Sequence, residues 1–204
     1  MPLRPLIAVL DYGIGNLRSA QKALQRVGAE ARLTADPGVI AAADGVVLPG
    51  VGAFARCMAA LGEAGLDRVA IDAAGADRPF LAICVGMQLL YESSDEDPGV
   101  AGLGVLPGAV RRLPPGVKHP QMQWNTLDVI RPTPLLDGLA DPAWVYFVHS
   151  YAAEEATDAV ATCDYGGKVV AAVVRDRLWA TQFHPEKSGS NGLRLLANFV
   201  AACR

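Results

Sequence analysis

The sequence predicts an α/β fold in which a central, mostly parallel sheet is flanked by helices and carries an antiparallel extension. Short apolar runs of strand length, beginning with Leu6–Leu10, alternate with longer stretches of helical periodicity. Glycine turns follow several of these runs, as at residues 13–15 and 50–52. The alternation stops after residue 93, where a glycine- and proline-rich middle is typical of short strands and turns.

The first half of the chain supplies the strands of the parallel sheet. We expect buried strands at residues 6–10, 31–34, 46–48 and 80–83. Helical patterns lie between them, at 16–27, after Asp36-Pro37, and over 53–74 with a break near residues 62–65. A further helix begins at about Met87. Strands that alternate with helices in this way pair in parallel.

The second half supplies the antiparallel extension. Residues 93–99 form an acidic loop, residues 100–134 are expected to hold short strands and turns, and 118–125 is interpreted as an ordered surface loop. Clear strand patterns follow at 144–148, 169–175 and 178–183, of which the last two form a hairpin. An amphipathic helix over 190–202 ends the chain.

The composition indicates one globular domain over residues 1–204, with 51% hydrophobic and 19% charged residues. The net charge of −3, with both signs interleaved, does not favour binding to nucleic acid or to an anionic membrane. The apolar runs fall short of the roughly 20 residues that a membrane span needs. The four cysteines lack C-x-x-C spacing and no signal peptide is apparent, so we expect free thiols, no metal site and a cytoplasmic location.

The glycine turns do not match a cofactor-binding loop. Gly13 and Gly15 fit the first two positions of G-x-G-x-x-G, but Arg18 occupies the third. Gly167-Lys168 is followed by Val169 and lacks the earlier glycine of a Walker loop. We therefore expect no cofactor.

Cys84 lies where a buried strand meets a helix, between Ala82 and Gly86. A residue on such a sharp turn projects its side chain above the sheet edge, and the crowded turn requires small neighbours. The helix N-terminus stabilises a thiolate there. A cysteine among apolar residues is more often inert core, so this stretch alone leaves both interpretations open.

The loop Pro49–Gly52 is a candidate partner for this turn. Its glycines follow a buried strand and permit backbone angles that direct N–H groups toward a ligand. Oxyanion holes of this type combine the N–H after the nucleophile with one from the loop after the third strand. Val85 and the loop of residues 50–52 are the matching candidates, and an ordinary Pro-Gly turn is the alternative.

His184 is the best-placed base among the three histidines, because it follows a strand and precedes a proline. Glu186 lies two residues on and could fix the orientation of the imidazole. Cys84, His184 and Glu186 would then form a nucleophile, a base and an orienting carboxylate. His149 is interpreted as a residue at a strand end that supports the site.

These motifs resemble those of the class I (triad) glutamine amidotransferases, through Cys84-Val-Gly-Met-Gln88, the Pro49–Phe54 loop and Gln182-Phe-His-Pro-Glu186. Within that class the chain resembles the glutaminase subunits of imidazole glycerol phosphate synthases. The motifs that carry this closer resemblance are Asp11-Tyr-Gly-Ile-Gly-Asn-Leu17, Leu48-Pro-Gly-Val-Gly-Ala-Phe54, Met122 with Trp124-Asn125, Tyr146-Phe-Val-His-Ser-Tyr151 and His184-Pro-Glu-Lys-Ser188.

The resemblance implies an enzyme that releases ammonia from glutamine and passes it to a (β/α)8-barrel cyclase subunit in histidine biosynthesis. It assigns the nucleophile to Cys84, the acid/base to His184 and its orientation to Glu186. The oxyanion groups fall at Gly52 and Val85. Glutamine-binding positions fall at Gln88, Ser150 and Tyr151, and positions that face the cyclase fall at Asn125, Tyr146 and Lys187.

The chain departs from the family in a few places. Val85 stands where leucine is usual, and Gln121 and Gln123 replace the His and Gly of the common Pro-His-Met-Gly-Trp-Asn motif. Three alternatives stay open: the glutaminase subunit of another synthase, a cysteine peptidase or deglycase-like protein, and a non-catalytic binding module of the same fold.

Overall fold

The computed structural model describes residues 4–154 and 157–204. The strands are β1 (Leu6–Leu10), β2 (Glu30–Thr34), β3 (Gly45–Gly50), β4 (Phe80–Cys84), β5 (Ser93–Ser94), β6 (Ala109–Arg112), β7 (Gln121–Thr126), β8 (Asp128–Val129), β9 (Trp144–His149), β10 (Tyr151–Ala153), β11 (Ala159–Asp164), β12 (Lys168–Arg175) and β13 (Leu178–Thr181). The helices are α1 (Leu17–Arg26), α2 (Pro37–Ala42), α3 (Phe54–Glu63), α4 (Asp67–Ala74), α5 (Val85–Leu89) and α6 (Gly189–Ala202), with 3-10 turns at Pro134–Leu136 and Pro185–Lys187.

The main sheet has the strand order β2-β1-β3-β4-β13-β12-β11-β8 within the described ranges. The first five strands are parallel to their neighbours, and β12, β11 and β8 continue the sheet in antiparallel pairing. This arrangement confirms the predicted fold class, including the hairpin of β12 and β13.

The central strands are apolar along their length because both faces of the sheet are covered. Val46, Val47 and Leu48 of β3 are fully buried, as are Phe80 and Leu81 of β4. Parallel strands with helices on both faces need such continuous apolar runs. In the two described stretches, no helix combines the length and apolar character needed to cross a membrane.

Two smaller sheets complete the described chain, one of β10, β6 and β5 and one of β7 and β9. The interpretation of residues 118–125 as a surface loop was wrong, because β7 pairs with β9 in antiparallel register from Gln121↔His149 to Thr126↔Trp144. Its polar and aromatic side chains lack an apolar alternation of their own, and pairing with a distant strand is what makes it a strand. The sequence analysis also failed to predict β11, whose small residues are buried between β12 and β8.

Five parallel strands end at the same edge of the main sheet: β2, β1, β3, β4 and β13. Ligands of open α/β sheets bind at such carboxyl ends. The register aligns Gly50 with Cys84 and Ile83 with Thr181, so the loop after β3, the turn after β4 and the segment after β13 meet there. The sheet therefore gathers residues that are far apart in the chain.

Candidate active site

Cys84 occupies a strained turn between β4 and α5. Its backbone has φ 55° and ψ −115°, a conformation that residues with a side chain rarely adopt. The turn lies directly against β3: a Cβ at Gly86 would collide with the Leu48 carbonyl, and one at Gly50 would lie 2.5 Å from the Gly86 nitrogen. Gly50 and Gly86 thus allow the close approach, and Gly86 is one of the two small neighbours that the sequence predicted for this turn.

His184 and Glu186 form a buried hydrogen-bonded pair at the end of β13. The Nδ1 of His184 lies 2.8 Å from Oε1 of Glu186, and the two side chains are 1% and 2% exposed. The Asn16 amide donates to the same carboxylate oxygen at 3.3 Å. The His184 Nε2 has no hydrogen-bond partner among the described residues, so it is free to bind a ligand or the thiol.

Opposing effects act on the pKa of His184. Burial lowers it, whereas the neighbouring Cys84 and Glu186 favour the imidazolium and raise the pKa from 6.5 to about 9. The pairing therefore outweighs desolvation, and the protonated ring is the stable form at neutral pH.

The sulfur of Cys84 is surrounded by polar groups. The Gln182 amide lies within donor distance of it at 3.8 Å, and the thiol can donate to the Val148 carbonyl at 3.9 Å. Gln88 in turn donates to Gln182 Oε1 at 3.1 Å and to the Tyr151 carbonyl at 2.8 Å. A buried chain of amides thus connects one wall of the site to the sulfur.

A cleft of about 590 Å³ opens above this turn. Cys84, Val85, His184 and Gly52 line it. The predicted glutamine-binding residues line it as well, namely Gln88, Ser150 and Tyr151. The structure therefore brings the proposed nucleophile, base, oxyanion groups and substrate contacts to one cavity.

Gly52 belongs to the loop that forms one wall of the cleft. It has φ +87°, where a side chain would be strained, and a Cβ there would meet no neighbouring atom within 4 Å. The glycine is therefore needed for its backbone conformation rather than for close packing. Val85, the first residue of α5, follows Cys84 directly and also lines the cleft.

Three polar residues of the site, Asn16, Glu96 and Gln182, have no role that the sequence predicts. Glu96 lines the cleft and accepts a hydrogen bond from the Phe54 N–H at 2.9 Å, so the acidic loop reaches the site from the start of α3. Gln182 was noticed as part of a motif, yet its contact with Cys84 depends on the pairing of β13 with β4. No local pattern could have shown these contacts.

His149 lies beside the site with its ring buried. Burial is the main cause that lowers its pKa from 6.5 to about 4, and the charge on His184 acts in the same direction. The ring is therefore neutral at pH 7, and its Nδ1 lies 2.8 Å from the Tyr151 carbonyl. This position fits a residue that supports the cleft wall.

The β7–β9 ribbon carries exposed apolar side chains next to the cleft. Met122, Trp124 and Trp144 are 58%, 47% and 49% exposed. The Tyr146 ring packs edge-on against Trp124, with centroids 5.9 Å apart. Lys187 is exposed at the cleft mouth.

Asn125 also lies on the ribbon, and its side chain donates to the Asp164 carbonyl at 2.9 Å. Tyr146 and Lys187 thus lie on or beside the exposed face of the ribbon, whereas Asn125 alternates with Trp124 and pairs with the buried Val145, so its side chain lies on the opposite face.

The fold and site define a class of protein that sequence comparison also identifies. Residues 8–203 match the family model for glutamine amidotransferase class-I, so the chain belongs to the class I glutamine amidotransferases. Within that class it belongs to the family of imidazole glycerol phosphate synthase subunit HisH.

Two relatives of that name illustrate the similarity. The protein from Methanothermobacter thermautotrophicus is 50% identical over 200 residues, covering 98% of this chain and 100% of the relative. The protein from Synechococcus elongatus is 51% identical over 206 residues, covering 98% and 94%.

Solved structures share the fold at lower identity. A putative GMP synthase protein from Thermoplasma acidophilum superposes with a TM-score of 0.75 at 21% identity, covering 100% of this chain and 96% of the other. PurLQS from Thermotoga maritima gives 0.77 at 19% identity, covering 99% and 100%. At these identities the likeness supports the fold alone.

Proposed function

We propose that this chain is the glutaminase subunit of an imidazole glycerol phosphate synthase. It hydrolyses glutamine to glutamate and ammonia, and the ammonia is delivered to a cyclase subunit that makes imidazole glycerol phosphate and AICAR in histidine biosynthesis. The observation that carries this proposal is the cleft in which the strained Cys84 faces the buried His184–Glu186 pair. The full-length relatives named as subunits of that synthase support the particular reaction.

The reaction begins with attack of the Cys84 thiolate on the side-chain amide carbon of glutamine. The imidazolium of His184, favoured by its raised pKa, stabilises the thiolate beside it. The Gln182 amide near the sulfur provides a further donor to the anion. The attack produces a tetrahedral intermediate with negative charge on the former amide oxygen.

Backbone N–H groups of Gly52 and Val85 stabilise that oxyanion. Both residues line the cleft on either side of Cys84, and the loop and the turn are held in contact by the pairing of β3 with β4. Losing one such donor typically slows a reaction of this type by about 10²- to 10³-fold.

His184 then acts as acid and as base. Its protonated Nε2 donates a proton to the departing nitrogen, which leaves as ammonia, and a glutamyl thioester remains on Cys84. The neutral ring next takes a proton from the water that hydrolyses the thioester, and glutamate is released. Glu186 holds Nδ1 at 2.8 Å throughout and keeps the ring oriented.

The cleft walls hold the glutamine backbone. We assign this role to Gln88, Ser150 and Tyr151, which line the cleft. The Gln88 amide nitrogen donates to two protein acceptors, so its amide oxygen is the group left to bind the substrate. Glu96 adds a carboxylate that suits the α-ammonium group of glutamine.

The cyclase partner is a (β/α)8 barrel that docks on the β7–β9 ribbon. Exposed aromatic side chains beside a catalytic cleft are typical of the anchor residues of protein interfaces. Tyr146 and Lys187 lie on or beside this exposed face, Asn125 belongs to the same ribbon, and docking there would cover the cleft mouth and keep ammonia from bulk water. We propose no nucleic-acid or membrane partner. The four free thiols fit a cytoplasmic location.

The first test is glutamate release from glutamine by the purified chain, alone and with the cyclase subunit carrying its nucleotide ligand. We expect stimulation by the cyclase and a loss of at least about 10³-fold in Cys84→Ala. Cys203→Ala is the matched control, because that cysteine is buried away from the cleft and should leave turnover unchanged. If the cyclase does not stimulate glutamate release, the chain is instead the glutaminase subunit of another synthase. If no mixture releases glutamate, a non-catalytic binding module is favoured.

A further inference from the structure

Two buried side chains outside the cleft lining donate hydrogen bonds to the Pro49–Gly52 loop. The Tyr12 hydroxyl donates to the Pro49 carbonyl at 2.6 Å, and the Cys57 thiol donates to the Val51 carbonyl at 3.2 Å. Tyr12 is 5% exposed and Cys57 is fully buried. Neither side chain lines the cleft.

Both donors keep their protons at neutral pH. Burial is the largest cause that raises the pKa of Tyr12 above its usual value, and burial likewise raises the pKa of the Cys57 thiol. Each group can therefore donate over the whole range in which the enzyme would work.

The turn that carries Cys57 is itself held in place. Cys57 lies in the first turn of α3, where the Phe54 N–H donates to Glu96 at 2.9 Å and the Ala55 N–H donates to Asp97 at 3.0 Å. The acidic side chains thus satisfy free N–H groups at the start of the helix. The thiol is presented to the loop from a fixed position.

The orientation of the Val51 carbonyl determines where the Gly52 N–H points. In a trans peptide the C=O and N–H bonds are antiparallel. Because the carbonyl of Val51 points toward Cys57, the N–H of Gly52 points away from that thiol, and Gly52 itself lines the cleft. A rotation of this peptide would break the contact with the thiol.

We propose that Tyr12 and Cys57 are positioning residues that hold the loop so that the Gly52 N–H faces the oxyanion. They touch neither glutamine nor the reacting atoms, and they act through the carbonyls of Pro49 and Val51. This inference rests on the proposed glutaminase function. It adds a buried pair of donors behind the oxyanion loop to the groups that line the cleft.

The test compares Tyr12→Phe, Cys57→Ala and Cys57→Ser in the complex with the cyclase subunit. Tyr12→Phe and Cys57→Ala each remove one neutral hydrogen bond, and we expect kcat for glutamine to fall about tenfold with KM changed less than about twofold. Cys57→Ser restores a donor at the same position and should recover most of kcat.

A matched control separates loop positioning from general loss of a buried thiol. Cys203 also donates to a backbone carbonyl, that of Phe199, at 3.2 Å, but it lies near Gly45 at the opposite end of β3. Cys203→Ala should therefore leave kcat unchanged.

A second readout separates loop positioning from damage to the nucleophile. Alkylation of Cys84 by iodoacetamide requires the thiolate but develops no oxyanion, so its rate should stay within about twofold of wild type in all variants. Unchanged kcat in Tyr12→Phe and Cys57→Ala, or a parallel fall in kcat and alkylation rate, would overturn the proposal. A wild-type complex that fails to hydrolyse glutamine would instead refute the proposed function.

Discussion

At the scale of single residues, the chemistry of the site depends on charges that are buried together. His184 and Glu186 are almost fully covered, yet their contact keeps the imidazolium stable because the neighbouring Cys84 and Glu186 outweigh the effect of burial on the pKa. The Asn16 amide also donates a hydrogen bond to the Glu186 carboxylate. An uncompensated charge in this place would be strongly destabilising.

Replacing Glu186 with Gln tests this balance. The amide keeps a hydrogen-bond acceptor but loses the charge, so the pKa of His184 should fall below its value of about 9. The alkaline limb of the kcat/KM profile should move to lower pH, and the His184 titration followed by NMR should move with it. Glu154→Gln, which removes a carboxylate paired with Arg111 on the surface, should leave both unchanged.

The same variant has a predictable effect on stability. Because the pKa of His184 is raised in the folded state, protonation of its ring stabilises the fold. This contribution is fully present below about pH 6.5 and is lost as the pH rises through about 9. The free energy of unfolding should therefore fall less between pH 6.5 and 9 in Glu186→Gln than in wild type. An identical pH dependence in the two proteins would contradict a charge-based role for Glu186.

At the scale of elements, the nucleophile turn depends on the contact between α5 and β3. The positive φ of Cys84 is strained by itself and persists because the strands on either side fix the turn. A closed set of hydrogen bonds connects the other half of the site to the ribbon. The His184 N–H donates to the Tyr146 carbonyl, the Tyr146 N–H to Ser188 Oγ, and the Ser188 hydroxyl to the His184 carbonyl.

Gly86→Ala tests the contact between the turn and β3. The added methyl group would overlap the Leu48 carbonyl, so we expect a loss of about 3 kcal/mol or more in the free energy of unfolding, together with loss of activity. Gly62→Ala is the control, because that glycine is in α3 with no atom within 4 Å of the added Cβ. It should be neutral or stabilise the protein by up to about 1 kcal/mol, and denaturant unfolding measures both. Wild-type stability of Gly86→Ala would show that the turn can move away from β3.

At the scale of the whole molecule, the cleft and the exposed ribbon lie side by side. Such an arrangement suits an enzyme that transfers a small, freely diffusing product to a bound partner protein. The hydrogen bond from the His184 N–H to the Tyr146 carbonyl connects that surface directly to the base. A partner docked on the ribbon would therefore contact the element that positions His184.

Trp124→Ala tests the docking surface. Truncation of a half-exposed aromatic anchor should weaken cyclase binding by at least about 30-fold, while changing the free energy of unfolding by less than about 0.5 kcal/mol. Ile130→Ala removes a similarly exposed apolar side chain that follows β8 and is not part of the ribbon, and it should not change the Kd. Equal effects of the two variants, measured by calorimetry, would place the interface elsewhere.

The sequence by itself determined much of this protein. Strand-length apolar runs predicted β1, β3 and β4, and the helical break near residues 62–65 separated α3 from α4, because burial and local turn chemistry are expressed within a few residues. The motifs around Cys84, Gly52 and His184 likewise resemble those of the class I glutamine amidotransferases, and the family match over residues 8–203 confirms that resemblance.

Tertiary structure decided what depends on pairing between distant segments. β7 became a strand because β9 lies beside it, and Glu96 and Gln182 joined the site through contacts across 42 and 98 positions of the chain. The placement of Tyr12 and Cys57 behind the oxyanion loop has the same origin. Such contacts depend on the order of the strands in the sheet, and the local pattern of apolar and polar residues does not determine that order.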